Sequence, residues 1–146
     1  MAGSSAEKPS SSRPGAPATA ADVMRPALTT VETNAHLAAA AYLMKHAGET
    51  ALVVIDEEQA RRPIGLITDA DIAQAVADQL DVNDVRILDL MTTNPTIITA
   101  TASIREAAEA MITAGKRHLP VVSNAGLVGI VDIGDVCRAL LGPRGG

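Results

Sequence analysis

Thr68 and Asp71 stand three residues apart, directly after the run Gly65-Leu66-Ile67, a spacing that puts a hydroxyl and a carboxylate where a strand becomes a helix. Such a pair has two chemistries open to it. A helix start presents backbone N–H groups and the positive end of the helix dipole, which suit a phosphate that the Thr68 hydroxyl can join. A carboxylate one turn along can accept hydrogen bonds from both hydroxyls of a ribose, each worth about 1.5 to 3 kcal/mol when charged, which selects ribose over deoxyribose. The same two residues also make a plain capping box, which needs no ligand. The residues alone leave both readings open.

The stretch recurs as Gly129-Ile130-Val131-Asp132-Ile133-Gly134-Asp135, with Asp132 where the first copy has Thr68. Aspartate is an excellent N-cap, so capping accounts fully for Asp132 and Asp135. A second carboxylate would also repel an incoming phosphate, by on the order of 4 kcal/mol for charges 4 Å apart at an effective dielectric of 20. The Asp71 copy is therefore expected to take a phosphorylated ligand more readily than the Asp135 copy.

The elements that position these residues are themselves repeated. Asp22-Val23-Met24 matches Asp89-Leu90-Met91, Leu37 matches Ile104, Met44 matches Met111 and Gly48 matches Gly115. Each module reads as strand, helix, strand, strand, helix. In the second, Thr96 to Thr99 is a β-branched strand, and Ser103 with Glu106 is a capping box. Ile104, Ala107, Ala108, Met111 and Ile112 then form one apolar stripe, and Gly115 ends the helix. Leu119 to Val122 and Leu127 to Val131 are strands joined by a turn at Asn124-Ala125-Gly126, and Gly134 to Leu141 is the closing helix. The first module has strands near Leu28 to Val31, Ala51 to Ile55 and Ile64 to Ile67, with helices at Ala35 to Ala47 and Asp69 to Leu80. A connection from Asn83 to Met91 carries a helical turn at Ile87-Leu88-Asp89-Leu90.

Composition narrows the partners. The chain has 146 residues, of which 47% are hydrophobic, with no Trp or Phe and a single tyrosine, Tyr42, so platforms for stacking nucleic-acid bases are missing. A net charge of -5 argues against nucleic acid and against an anionic membrane surface, both of which favour a basic face. No apolar run approaches the roughly 20 residues of a membrane helix. Cys137, the one cysteine, has no metal-ligand spacing around it and is expected to be a small buried residue; a reducing cytoplasm fits best. His36 and His46 lack partner spacing for a metal and are expected on exposed helix surface, whereas Tyr42 and Met44 read as core or interface. Residues 1–20, rich in Ser, Pro, Ala and Gly, are expected to be a disordered tail, and 142–146 a flexible end. The first module is placed at 21–82 and the second at 83–141.

Two such modules, each with a Gly-hydrophobic-hydrophobic-Thr/Asp-x-x-Asp stretch and the second with Leu119-Pro120-Val121-Val122, resemble a tandem pair of cystathionine-β-synthase-type (CBS) domains, the Bateman module. The resemblance covers about residues 21 to 141. It implies an α+β fold of two β-α-β-β-α repeats packed about a pseudo-twofold, with two clefts that bind adenosine nucleotides such as AMP, ADP or ATP or other adenosyl compounds. It also implies pairs that dimerise. By the same resemblance Thr96 and the backbone around Lys116 and Arg117 supply an adenine edge, and Lys116, Arg117 and His118 match a place of phosphate-binding basic residues. These three are equally well read as a solvated end between helix and strand. The corresponding Glu49-Thr50-Ala51 is not basic, so a phosphate contact from this segment has to come from the second module.

No Ser-His or Cys-His pairing at motif spacing emerges, so no catalytic role is expected. The expectation is a stand-alone cytoplasmic regulatory protein, homodimeric, with no obligatory cofactor or metal, that binds an adenosine-type nucleotide and signals to a protein partner. Its rival is a ligand-free dimeric interaction module in which both Thr/Asp motifs only cap helices, and a small nucleotide hydrolase is a third class.

Overall fold

The computed structural model describes residues 18–142 except 57 and 60; the expected tail up to residue 17 and the end from 143 to 146 lie outside the described residues. Helix α1 (Ala20–Val23) and strand β1 (Arg25–Pro26) come first, then β2 (Thr30–Val31), α2 (Leu37–Ala47), β3 (Ala51–Asp56), β4 (Arg62–Thr68) and α3 (Asp69–Ala77). The order repeats as α4 (Ile87–Leu90), β5 (Thr92–Thr93), β6 (Ile98–Thr99), α5 (Ile104–Ala114), β7 (His118–Ser123), β8 (Gly126–Asp132) and α6 (Ile133–Leu141). The fold is α+β, with two repeats and two mixed four-stranded sheets, each sheet taking three strands from one repeat and one from the other.

The two compact units are discontinuous in sequence. Among the described residues, one takes 18–26 with 96–123 and 128–142; the other takes Ala27–Pro95 with Asn124–Leu127. Their sheets run β1-β8-β7-β6 and β2-β3-β4-β5. The short leading pieces are tied in by main-chain bonds. In one unit Ala20 N donates to Ala102 O at 2.8 Å and Ile104 N to Ala18 O at 3.2 Å; in the other Ile87 N donates to Ala35 O and Leu37 N to Val85 O, both at 2.8 Å. Residues 18–20, assigned to the tail on composition, are thus structured, and Ala20 is fully buried.

Local chemistry explains the helices. The Ser103 hydroxyl accepts from Glu106 N at 3.0 Å while the Glu106 carboxylate accepts from Ser103 N at 2.8 Å, closing the box that starts α5. Gly115 ends it at φ 66°, a left-handed conformation that glycine takes without a Cβ clash. Ile104, Ala107 and Met111 are buried, but Ile112 is 79% exposed. At about 100° per residue it lies about 80° around the helix from Ile104, past the edge of the packed face. Met44 is buried in α2 as expected, whereas Tyr42 faces outward and lies against His46 with ring centroids 4.1 Å apart. Cys137 is exposed, contrary to expectation, because α6 turns Asp135 and Val136 inward and leaves the next position outside.

Each unit has its own core. Leu37, Met44, Leu52, Val54, Ile67 and Ile87 form one, and Ile104, Met111, Leu119, Val121, Val131 and Val136 form the other. The glycines of the two motif copies serve these cores by lacking a side chain. A Cβ on Gly65 would meet the Met91 sulfur at 2.5 Å and Thr92 O at 3.1 Å; one on Gly129 would meet Arg25 O and Met24 Cγ, both at 2.8 Å. Bare backbone at these points lets β5 lie on β4 and β1 on β8. Among the described residues no helix is long and apolar enough to cross a membrane.

Candidate functional site

Strand β4 ends at Thr68 with extended backbone, and α3 begins at the next residue. Asp71 Oδ2 accepts from Thr68 N at 2.8 Å and from the Thr68 hydroxyl at 3.1 Å, and the Thr68 hydroxyl accepts from Asp71 N at 3.2 Å. Asp69 N donates to Thr50 O at 2.9 Å. The capping box is therefore complete, and the Thr68 hydroxyl is committed to Asp71 on both sides. Asp71 Oδ1 accepts no hydrogen bond from the described residues, and the side chain is half-buried. A half-buried carboxylate with one oxygen fixed and the other open can accept from a hydroxyl pair. The helix N-terminus is less available to phosphate than the spacing implies, since two of its first three N–H groups already have acceptors.

The second copy has the same backbone and a different set of partners. Asp135 Oδ2 accepts from Asp132 N at 2.9 Å, and Asp132 Oδ1 accepts from Asp135 N at 2.8 Å. Two arginines complete the arrangement. Arg25 Nη2 donates to Asp132 Oδ2 at 2.9 Å, with its Nε 3.9 Å from Asp135 Oδ2, and Arg138 Nη2 donates to Asp135 Oδ1 at 2.8 Å. Asp135 is only 7% exposed. Burial pushes the Asp132 carboxyl up, but the Asp135 N–H, the Arg25 guanidinium and His118 outweigh it, so its pKa lies below the ordinary 3.8.

The basic segment belongs to this same unit. Lys116 and Arg117 are exposed, Arg117 O accepts from Ile133 N at 2.9 Å, and half-buried His118 opens β7 close enough to Asp132 to act on its charge. Thr96 is half-buried two residues ahead of β6. The structure thus gathers Arg117, His118, Asp132 and Asp135 around the start of α6, with Thr68 and Asp71 together in the other unit. Arg25 and Arg138 were missed by the sequence reading. A signal existed for both: Arg138 lies one helical turn after Asp135, and Arg25 falls where the other repeat has Thr92. No group of three or more His, Cys, Asp or Glu among the described residues is placed to hold a metal ion.

The profile of the CBS domain matches residues 20–78 and again 86–142. The chain belongs to the CBS domain family. It holds a tandem CBS pair and is similar to the CBS domain-containing protein YhcV of Bacillus subtilis, 32% identical over 79% of this chain and 80% of that one. It is 38% identical to an uncharacterized 17.7 kDa protein of Acidianus ambivalens, over 76% of this chain and 66% of that protein. Among the first curated relatives the chain spans 41% to 66% of their length. A CBS domain protein of Pyrobaculum aerophilum, solved in complex with AMP, superposes with a TM-score of 0.74 at 26% identity, covering 84% of this chain and 95% of that one.

Proposed function

We propose that this CBS pair binds an adenosine nucleotide through Asp71, whose carboxylate takes the ribose hydroxyls, and acts as a ligand-responsive regulatory module without catalysis of its own. The observation that carries this is the open Oδ1 of Asp71, held in place by the bonds of Oδ2 to Thr68. The AMP complex of the Pyrobaculum aerophilum relative supports the choice of ligand class. Thr96, Lys116, Arg117 and His118 belong to the other unit and carry no part of this proposal, and Asp135 is treated separately below. A ligand can shift such a module only by its differential affinity for two states.

Calorimetric titration with AMP and with 2′-deoxy-AMP tests this. Loss of one charged hydrogen bond weakens the deoxynucleotide by on the order of tenfold or more. Asp71→Ala removes AMP binding while the circular dichroism spectrum stays native. Equal affinity for the two nucleotides, or undiminished AMP binding by Asp71→Ala, overturns the assignment. The second reading, a ligand-free dimeric interaction module, draws on the complete capping boxes at Thr68/Asp71 and Asp132/Asp135. It gains if AMP, ADP and ATP all leave the unfolding temperature unchanged, since saturation at a hundredfold excess over Kd adds about 2.7 kcal/mol of stability.

A further inference from the structure

Four of the differences between the two copies surround the Asp71 and Asp135 carboxylates, and they go together. Beside Ile130, β1 places Arg25; beside Leu66, β5 places Thr92. The first copy reads Thr68, Ala70 and Gln74 where the second reads Asp132, Gly134 and Arg138. Gln74 donates to Asp78 at 3.0 Å and so leaves Asp71 alone, whereas Arg138 turns back onto Asp135. A Cβ on Gly134 would come within 3.2 Å of Asp132 Oδ1 and 3.3 Å of Arg138 Nη1, a tight fit that small side-chain shifts relieve.

We propose that the second copy is closed to nucleotide by the chain's own guanidinium groups, Arg25 and Arg138, so that each chain takes one nucleotide at the first copy. This rests on the reading of Asp71 given above. Both oxygens of Asp135 already accept hydrogen bonds, one of them from a charged donor, and Asp132 is tied to Arg25. A ribose reaching Asp135 has to displace the largely exposed Arg138 guanidinium from a buried carboxylate whose other oxygen is already bonded to Asp132 N, and it meets the Arg25–Asp132 pair beside it. Arg25 and Arg138 are thus specificity-determining residues that act by occupying the second carboxylate.

The test is AMP titration by calorimetry of the full chain in four forms: wild type, Asp71→Ala, the triple variant R25T/D132T/R138Q, and that triple variant with Asp71→Ala added. The triple variant gives the second copy the first copy's side chains at the three positions that pair with its carboxylates. Wild type is expected to titrate with one AMP per chain and Asp71→Ala with none. The triple variant is expected to titrate with two, and with Asp71→Ala added to keep one. In that last form the gain over Asp71→Ala alone is on the order of tenfold or more in affinity. Two sites in wild type, or no gain in the last form, overturns the proposal. If wild type takes no AMP, the reading of Asp71 falls, and the second copy is still judged on the triple variant carrying Asp71→Ala. If the triple variant does not fold, amide spectra of wild type decide: AMP that shifts Asp71 and leaves Asp132 and Asp135 in place supports closure, and equal shifts at both copies refute it.

Discussion

Replacing Gly129 by alanine should destabilise the chain more than the same change at Gly65, and the reason lies in what the new methyl meets. At Gly129 the Cβ falls 2.8 Å from the carbonyl oxygen of Arg25, with the Met24 thioether also in the way. Main chain at Arg25 cannot yield cheaply, because Arg25 and Pro26 pair with β8 and the Arg25 side chain is tied to Asp132. At Gly65 the nearest atom is the Met91 sulfur, the far end of a flexible side chain, and Thr92 O stands back at 3.1 Å. Overpacking of this kind costs about 1 to 3 kcal/mol. Loss of glycine's freedom in the unfolded chain returns about 0.4 to 1 kcal/mol in both variants. The expected net loss is therefore about 1 to 2.5 kcal/mol for Gly129→Ala and below about 1 kcal/mol for Gly65→Ala. On a folded unit of this size the former lowers the melting temperature by roughly 4 to 15 °C. Urea unfolding followed by far-ultraviolet circular dichroism measures both, since the chain lacks tryptophan. Met91→Ala should relieve Gly65→Ala, whereas Met24→Ala should relieve Gly129→Ala only in part. A Gly129→Ala protein as stable as wild type, or Gly65→Ala the costlier of the two, refutes the argument from close approach.

Asp132, with its pKa held below the ordinary value, adds stability that is present above the unfolded value and is lost as pH falls through the folded one. Arg25→Ala removes one of the depressing charges while the hydrogen bonds from Asp135 and the His118 charge remain, so the stability gap between wild type and variant should narrow below about pH 4; a gap constant from pH 6 to 2.5 contradicts this. Met111→Ala should cost about 2 to 5 kcal/mol and Ile112→Ala under about 0.5 kcal/mol, because Met111 is buried and Ile112 is not. Chemical denaturation ranks the two directly. Deleting everything before Ala27 removes Ala20 from a core and Arg25 from Asp132, so amide exchange should accelerate in α5 and α6 while α2 and β3 keep their protection.

Periodic and capping signals make the large elements legible in the sequence. Ser103 with Glu106 and the terminating Gly115 bracket α5, and the all-apolar run at Ala51 to Ile55 reads as a strand, which the sheet places between two others. What escaped was short or distant. β1 and β5 are two residues each, too brief for a pattern, and exist because their partners β8 and β4 bring a glycine opposite them. Ile112 continued the stripe in spacing yet sits beyond the face that packs. At the site, the Thr68-Asp71 box could be read from adjacent residues. The Arg25 contact to Asp132 spans 107 positions, and no local rule reaches that far. The repulsion expected of Asp132 is muted for the same reason, since Arg25 neutralises it, and occupied oxygens rather than bare charge distinguish the two copies.

That a unit is assembled from both flanks of the chain sets an order of events during synthesis. Arg25 leaves the ribosome long before Asp132 exists, and at about 5 to 20 residues per second it waits roughly 5 to 20 seconds for its counter-ion. The intervening stretch from Ala27 to Pro95 holds nearly everything its own unit needs and can condense during that pause. The Arg25 segment then docks beside α6 only after that stretch has emerged, so the unit of Ala27–Pro95 matures before the unit built from its flanks.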